Sequence, residues 1–379
     1  MESRKIVFDR NDTKAIKGIA VVLMLFHHLA GFPYRTPAWF GGFESMLPGF
    51  VEDGYLEKIA FAAILCVPVF AFLGGYGLFK RMDSSKFSMK DTILGLYSAY
   101  WKVFLVFVPL DLIFFMRNGA ETNVFYNTFT YGGGAKCITE ILSDFLGYSN
   151  HLNPEWWFFR SYICALLLGY LFCLALKKTK NLWVDIFLVF GLDILIRNIF
   201  PAISGMEAFT ELRNNRYFWN FLMVDKRVIP FFAGIVFAKH DIVCKVKKTV
   251  LDMPCSTLVA LLGLGILYWS KTFIVGETAD ILYCGIMIPL LSIVLDKLRI
   301  LKKAAGFLGK HSTNMWLIHS FYCFYFLEVT HLVYVTHNVW VDLCILVVLS
   351  LLSSILLNGF WTGVKMICGK IGRRKSGEV

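Results

Sequence analysis

Residues 15–33 read AIKGIAVVLMLFHHLAGFP, an apolar run long enough to cross a bilayer as a helix, which takes about 20 residues. The surrounding chain has the same character. Its 379 residues are 57% hydrophobic and 17% charged, with a mean hydropathy of +0.61. Soluble domains are about 45–50% apolar and about 25% charged. This composition argues against a disordered chain, a secreted disulfide-bonded domain and a soluble enzyme, and predicts an all-α polytopic membrane protein.

Further apolar stretches follow the first one, which indicates a true span rather than a cleavable signal. We expect one transmembrane domain over residues 1–379, with cytoplasmic tails at 1–14 and 361–379. The sequence predicts about ten transmembrane helices, at residues 15–33, 57–79, 92–116, 156–176, 182–200, 217–238, 256–270, 279–296, 313–333 and 338–360.

The basic residues alternate between the two sides of these spans. Of the 38 Lys and Arg residues, 26 lie in the two tails and in the loops after even-numbered spans, counting Lys17 with the first tail. Eight lie in the intervening loops, counting Lys58 and Arg197 at the ends of their spans, and the other four lie inside spans. Because Lys and Arg accumulate in cytoplasmic loops, the pattern predicts that both termini are cytoplasmic. It also accounts for the net charge of +11, which on a soluble chain would indicate nucleic-acid binding. We expect membrane lipids as partners and no nucleic acid.

Several common kinds of site are missing from the sequence. The ten cysteines lie mostly in apolar runs and show no zinc-binding spacing, so we expect neither a metal site nor a disulfide framework. The chain also lacks the Gly-x-Ser-x-Gly, Walker, His-Glu-x-x-His and dinucleotide-binding patterns. These absences argue against a hydrolase, an ATPase and a metalloprotease.

Ionisable side chains inside the predicted spans are the candidate functional residues. A charge at the bilayer centre costs about 2.5–3.5 kcal/mol and usually faces the bundle interior. Lys17 and His28 are eleven residues apart, so they share one helix face and lie about 16 Å apart along it. His27 points about 100° away and is less favoured. For any of these histidines the alternative is a packed, hydrogen-bonded side chain.

Three later spans carry further candidates. Arg160 lies near the outer end of the fourth span, at a depth similar to that of His28, with Trp157 on the same helix face. Glu155, just before that span, fits a position at the membrane interface. His319 is expected about six residues into the ninth span from the cytoplasm, and Lys102 lies nearer the middle of the third.

Two segments leave alternatives open. Residues 225–227, Asp-Lys-Arg, precede Pro230, which is consistent either with a broken helix beside a cavity or with a local ion pair. The long outer loop at 117–155 either covers a site on the outer face or is a mobile connector.

Five short motifs follow one another along the chain. They are Lys17 and His28 with ten residues between them, VPVFAFLGGY at 67–76, WWFFRSY at 156–162, PFFAG at 230–234, and Ser312 followed by WLIH at 316–319. In this order they resemble the motifs of the acyltransferase-3 family of integral-membrane acyltransferases, from about residue 8 to 360. The chain departs from the family pattern at Lys17, where arginine is usual, and at Gly74, where serine is usual. Lysine keeps the charge but lacks the planar fork of arginine.

The resemblance implies transfer of an acyl group, usually acetyl. The donor would be cytoplasmic acyl-coenzyme A, used as a co-substrate with no bound cofactor. The acceptor would be a hydroxyl of a cell-surface glycan or a lipid-linked sugar, and the enzyme would be a multi-pass protein of the cell membrane.

The residues fit this chemistry, which needs a base for the hydroxyl proton and a cation near the developing oxyanion. We expect His28 to be the general base, or to carry the acyl group briefly, and Arg160 to stabilise the oxyanion or position the acceptor. The basic loops at 80–90 and 297–310 are candidates for attracting coenzyme A. The predicted substrate-binding residues are Lys17, Trp157, His319 and Lys102.

Two other functions remain open at this stage. A transporter or flippase without chemistry would also have many spans and buried charges, although the sequence shows no inverted repeat. A membrane sensor or scaffold is less favoured because of the buried cations.

Overall fold

A computed structural model describes residues 6–32, 35, 54–118, 134–211, 226–274 and 276–375, which fold into helices joined by turns. The helices are α1 (Arg10–Ala30), α2 (Tyr55–Ala62), α3 (Cys66–Met82), α4 (Met89–Asn118), α5 (Gly134–Phe145), α6 (Trp157–Leu176), α7 (Leu182–Ile194), α8 (Phe200–Ser204), α9 (Ile229–Lys239), α10 (Ile242–Leu251), α11 (Ser256–Lys271), α12 (Asp280–Lys297), α13 (Arg299–Ser320), α14 (Leu327–Val333) and α15 (Val339–Lys375).

The all-helical membrane fold is confirmed, but the number of spans is not. Among the described residues, six helical segments are long and apolar enough to cross a membrane, or seven if the bent pair α10 and α11 counts as one. Each of the ten predicted spans overlaps a helix, although residues 217–225 of the sixth lie outside the described part of the chain. The count of ten and the cytoplasmic termini therefore stay predictions.

One predicted boundary is wrong. The segment 297–310 was expected to be a basic loop, but α13 begins at Arg299 and continues unbroken to Ser320. A π-helical turn at Phe321–Tyr325 and α14 follow. His319 consequently lies about 30 Å from the start of its helix, not a few residues inside it. The error arose because bilayer length and hydropathy place the start of a span at its first apolar residue, whereas a helix can begin in the aqueous layer.

The helices α1 and α13 form the central pair. They run in the same direction, because Lys302 bonds Asp12 near their starts and His319 lies beside His28 near their ends. Their backbones touch where a β-carbon on Gly18 would overlap the carbonyl oxygen of Ala305. Such close glycine-mediated crossings are typical of helices packed in membranes.

A second glycine crossing joins α3 to α9. A side chain on Gly75 would collide with the carbonyl of Phe231, and one on Gly234 with the carbonyl of Phe72. Pro230 occupies the first turn of α9, where its missing N–H leaves no intrahelical bond unmade. These contacts hold α9 against α3. The helix α3 packs in turn against α1 and α6, so that α3, α6 and α13 surround the space beside α1.

The basic ends of four helices are joined by ion pairs. Lys247 of α10 is buried and donates to Ser292 at 2.9 Å and to Asp296 at 3.0 Å on α12. Lys302 of α13 bridges Asp296, at 2.6 Å, to Asp12 of α1. The network therefore fixes the N-terminal end of α1 relative to the later helices.

Candidate active site

A cavity of about 140 Å³ runs along α1 from Lys17 past Met24 to His28. The predicted common face of Lys17 and His28 is confirmed, since both side chains line this one space. Its other walls come from α3, α4, α6 and α13. At 1.5 Å per residue, the two ends of the cavity on α1 lie about 16 Å apart.

Two histidine rings, those of His28 and His319, contact each other at the end of the cavity opposite Lys17. The ring centroids of His28 and His319 are 4.7 Å apart, with the ring planes inclined by 47°. His319 Nδ1 lies 2.6 Å from the carbonyl oxygen of Trp316. Because a carbonyl can only accept, Nδ1 carries the proton and Nε2 has the free lone pair. Both His319 Nε2 and His28 Nδ1 are buried without a hydrogen-bond partner among the described residues, so the pair can take part in proton transfer.

An acidic and a basic residue complete this end. Glu155 Oε1 pairs with Arg35 Nη1 at 2.7 Å, and Glu155 Oε2 lies 3.9 Å from His28 Nδ1. The Arg35 guanidinium also lies 3.8 Å from the ring centroid of Phe324. Sequence reasoning missed both residues, because Arg35 belongs to a predicted loop and Glu155 fitted an interfacial position.

A local signal could have located Glu155. Asn153 and Pro154 precede it, which is the pattern of a helix N-cap followed by proline in the first turn. In the structure Asn153 Oδ1 accepts from the Glu155 amide at 3.1 Å, and Asn153 Nδ2 donates to Ser320 Oγ at 2.7 Å. These bonds tie Glu155 to the end of α13, next to His319.

His27 lines the same cavity as His28 but differs from it in having a hydrogen-bond partner. It is buried and its Nδ1 lies 3.1 Å from the Ala60 carbonyl oxygen, to which it donates. His27 therefore joins α1 to α2 as a packed, hydrogen-bonded residue, which agrees with its lower rank in the sequence analysis.

Aromatic rings form the wall opposite α1. Trp157, Phe158 and Tyr162 of α6 line the cavity together with Trp316 of α13. The rings of Phe158 and Trp316 meet edge to face, with centroids 5.6 Å apart. The passage between Lys17 and the histidine pair thus suits a narrow, largely apolar chain.

The position of Gly74 explains one departure from the family pattern. A β-carbon at Gly74 would overlap the hydroxyl and ring of Tyr162. The Tyr162 side chain fills the space that a serine at position 74 would need, and it lines the cavity from there.

The remaining predicted site residues lie in different places. Trp157 lines the cavity, beneath the Arg227 guanidinium at 4.0 Å from its ring centroid. Arg160 is not among the lining residues that the structure describes, and its Nη1 donates to the Tyr148 carbonyl at 3.0 Å. Lys102 lines a separate cavity. The structure therefore brings Lys17, His28 and Trp157 together in the cavity, and it places the buried His319 against His28 just outside the lining residues. Arg160 and Lys102 do not join them, and their roles stay predictions without a supporting contact.

The structure describes parts of the two segments, 117–155 and 225–227, for which the sequence left two interpretations. The described end of the long loop, residues 134–153, is folded against α4, where Tyr97, Tyr100 and Trp101 each donate to a backbone carbonyl at its tip. That end is therefore packed and leads directly into Glu155. Lys226 pairs with Glu277 at 3.0 Å, whereas Asp225 lies outside the described residues.

One of the comparisons with known proteins identifies the family of the chain. No curated protein and no solved structure matches the chain. Among the described residues no cluster of side chains could hold a metal ion. A family model described as an acyltransferase domain matches residues 11–359, which is nearly the full length and includes every residue of the cavity. The chain belongs to the acyltransferase-3 family of membrane acyltransferases.

Proposed function

We propose that the protein is a cell-membrane enzyme that moves an acetyl group from cytoplasmic acetyl-coenzyme A to a hydroxyl of a cell-surface glycan or lipid-linked sugar. One observation carries the proposal. A cavity with an aromatic wall joins a cation, Lys17, to His28, whose ring contacts the buried imidazole of His319. Acetyl-coenzyme A matches this cavity in shape and charge, because its thioester lies at one end of a flexible arm and its phosphates lie at the other.

The donor enters along α1. Lys17 stands where the phosphate-bearing part of coenzyme A would begin, and its positive charge favours that end of the ligand. The basic start of α13 and the loop at 80–90 add to the same field. The pantetheine arm then lies against Phe158 and Trp316, and the thioester carbon reaches His28.

His28 is the general base of the proposed reaction. The acceptor hydroxyl attacks the thioester carbonyl while His28 Nε2 takes its proton. Glu155 Oε2 near Nδ1 favours the tautomer that leaves Nε2 free. The tetrahedral intermediate collapses with cleavage of the carbon–sulfur bond, and the departing thiolate takes the proton back from His28. The products are an ester and free coenzyme A thiol, and the imidazole returns to its starting form.

The charges around His28 support this role. Arg35 already balances Glu155, so a proton on either buried imidazole would add net positive charge to the site. Both rings are therefore neutral at rest, which is the form that can accept a proton. Arg35 is the guanidinium at this end of the cavity, and we assign to it the positioning of Glu155.

The test is to replace His28 with asparagine, using His27→Asn as the matched control. Asparagine at position 27 can still donate to the Ala60 carbonyl, whereas asparagine at 28 cannot act as a base. We expect His28→Asn to lower thiol release from acetyl-coenzyme A by at least about 100-fold, and His27→Asn to change it little. Undiminished transfer by the folded His28→Asn protein would remove His28 from the mechanism.

The acceptor is tested in cells. Loss of O-acetyl esters from envelope glycans on deletion of the gene, restored by the wild-type protein and not by His28→Asn, is the expected result. A transporter would instead move an unmodified solute and release no thiol from the donor. Unchanged glycan acetylation on deletion would contradict the proposed acceptor while leaving the donor chemistry open to the thiol assay.

A further inference from the structure

A second cavity, of about 510 Å³, lies between α4, α13 and α15 and is lined by cations. The cations Lys102, Lys310 and Lys365 reach it from three different helices, and the His311 imidazole lines it beside them. No aspartate or glutamate is among the lining residues that the structure describes. The cavity therefore has a positive potential that an anionic ligand would balance.

Another basic cavity, lined by Lys14, Arg299, Lys302 and Lys303, is partly compensated. There Lys302 is bonded to Asp12 and Asp296, whose carboxylates offset part of the positive charge. In the second cavity the neighbouring polar groups are uncharged. Asn358 accepts from Asn314 at 3.2 Å, and Thr362 donates to the Asn358 carbonyl at 2.7 Å. The second cavity has no such carboxylate among its described lining residues, so an external anion would be favoured there.

The cavity lies at a membrane boundary. Trp361 is about six turns into α15, or about 33 Å from Val339, which is close to the thickness of the hydrocarbon layer of about 30 Å. Its indole Nε1 donates to the Lys102 carbonyl at 3.2 Å, so α4 and α15 are joined at this level. Tryptophan is typical of such boundaries. Lys310 and Lys365 therefore stand at headgroup depth.

An exposed apolar rim borders the cations. Phe307 and Ile355 line the same cavity and are 48% and 41% exposed. A soluble anion would gain nothing from these side chains, whereas the acyl chains of a lipid would cover them. Basic pockets between transmembrane helices beside apolar surface suit phospholipid headgroups.

We propose that this cavity binds the phosphodiester headgroup of an anionic phospholipid, with its acyl chains along Phe307 and Ile355. The site is separate from the active-site cavity but shares a wall with it. On α13, Lys310 and His311 face the lipid site, and Ser312 and Thr313 face the passage beside α1. Bound lipid would hold α13, and with it His319, in place.

The test measures lipid retained by the purified full-length protein. Wild-type protein, Lys310→Gln/Lys365→Gln and the control pair Lys178→Gln/Lys180→Gln are equilibrated with vesicles of phosphatidylglycerol or phosphatidylcholine, and bound lipid is counted by native mass spectrometry. The control removes the same charge from an exposed loop. We expect wild type and control to retain phosphatidylglycerol over phosphatidylcholine, and the cavity variant to retain it about 30-fold more weakly.

Three results would overturn the proposal. The first is equal retention of the two lipids by wild type. The second is an equal loss in the control pair, which would indicate surface charge alone. The third is displacement of phosphatidylglycerol by coenzyme A from wild type but not from the cavity variant, which would assign the site to a soluble phosphate. Thermal unfolding in neutral detergent confirms that both variants are folded, so that a loss of lipid reports on the cavity.

Discussion

At the scale of single residues, the chemistry of His28 depends on side chains supplied by distant parts of the chain. Glu155 precedes α6, Arg35 follows α1, and His319 ends α13. The site exists because the N-cap formed by Asn153 directs Glu155 toward the imidazoles and bonds Ser320 at the same time.

Gly74 gives a residue-scale prediction. We expect Gly74→Ser to lower acyl transfer, because the new side chain would overlap the Tyr162 hydroxyl and push that ring into the cavity. Adding Tyr162→Phe removes the clashing oxygen and should restore part of the activity. The measurement is the Michaelis constant for acetyl-coenzyme A in the single and double variants. Equal constants in wild type and Gly74→Ser would show that Tyr162 moves aside without affecting the passage.

At the scale of elements, the crossing of α1 and α13 sets the distance between the two histidines. We expect Gly18→Ala to destabilise the protein by about 1–3 kcal/mol, because its β-carbon would overlap the Ala305 carbonyl and force the helices apart. Activity should fall with stability, since His28 and His319 lie on these two helices. The measurement is thermal unfolding in detergent together with thiol release.

The matched control for this substitution lies on the same pair of helices. A β-carbon at Gly306 of α13 would meet no atom within 4 Å. Gly306→Ala should leave unfolding unchanged or raise its temperature slightly, because alanine favours helix by about 1 kcal/mol over glycine. Equal unfolding temperatures for Gly18→Ala and Gly306→Ala would contradict a tight crossing of α1 and α13 at Gly18.

The elements also show what the sequence could and could not predict. Apolar length located helices over all ten expected spans, and the eleven-residue spacing placed Lys17 and His28 in one cavity, because helical geometry is local. The partners of His28 could not be predicted in the same way. Glu155 lies in the short 3-10 turn Pro154–Trp156 and Arg35 lies beyond the end of α1, and no periodicity encodes where such positions are placed. Arg160 has the right depth but points toward Tyr148, since depth alone does not fix which way a side chain faces.

At the scale of the whole molecule, the alternation of basic loops predicts which side each loop faces. A protease cleavage sequence inserted after Lys178 should be protected in intact cells, and one inserted after Gly276 should be cut. Both positions are exposed turns, so insertion disturbs little packing. The measurement is fragment size after protease is added outside, before and after permeabilisation. Cleavage at Lys178 in intact cells would invert the predicted orientation.

The pairing of α1 with α13 also has a consequence for biosynthesis. Asp12 and its partner Lys302 are 290 positions apart. A ribosome adding about 5–20 residues per second needs about 15–60 s to produce the second after the first. During that interval α1 lies in the bilayer without α13, so Lys17 and His28 lack the packing partner that covers them in the folded protein. A nascent chain can have no working active centre until its last third emerges, and a truncated product would leave a cationic helix exposed to quality-control proteases.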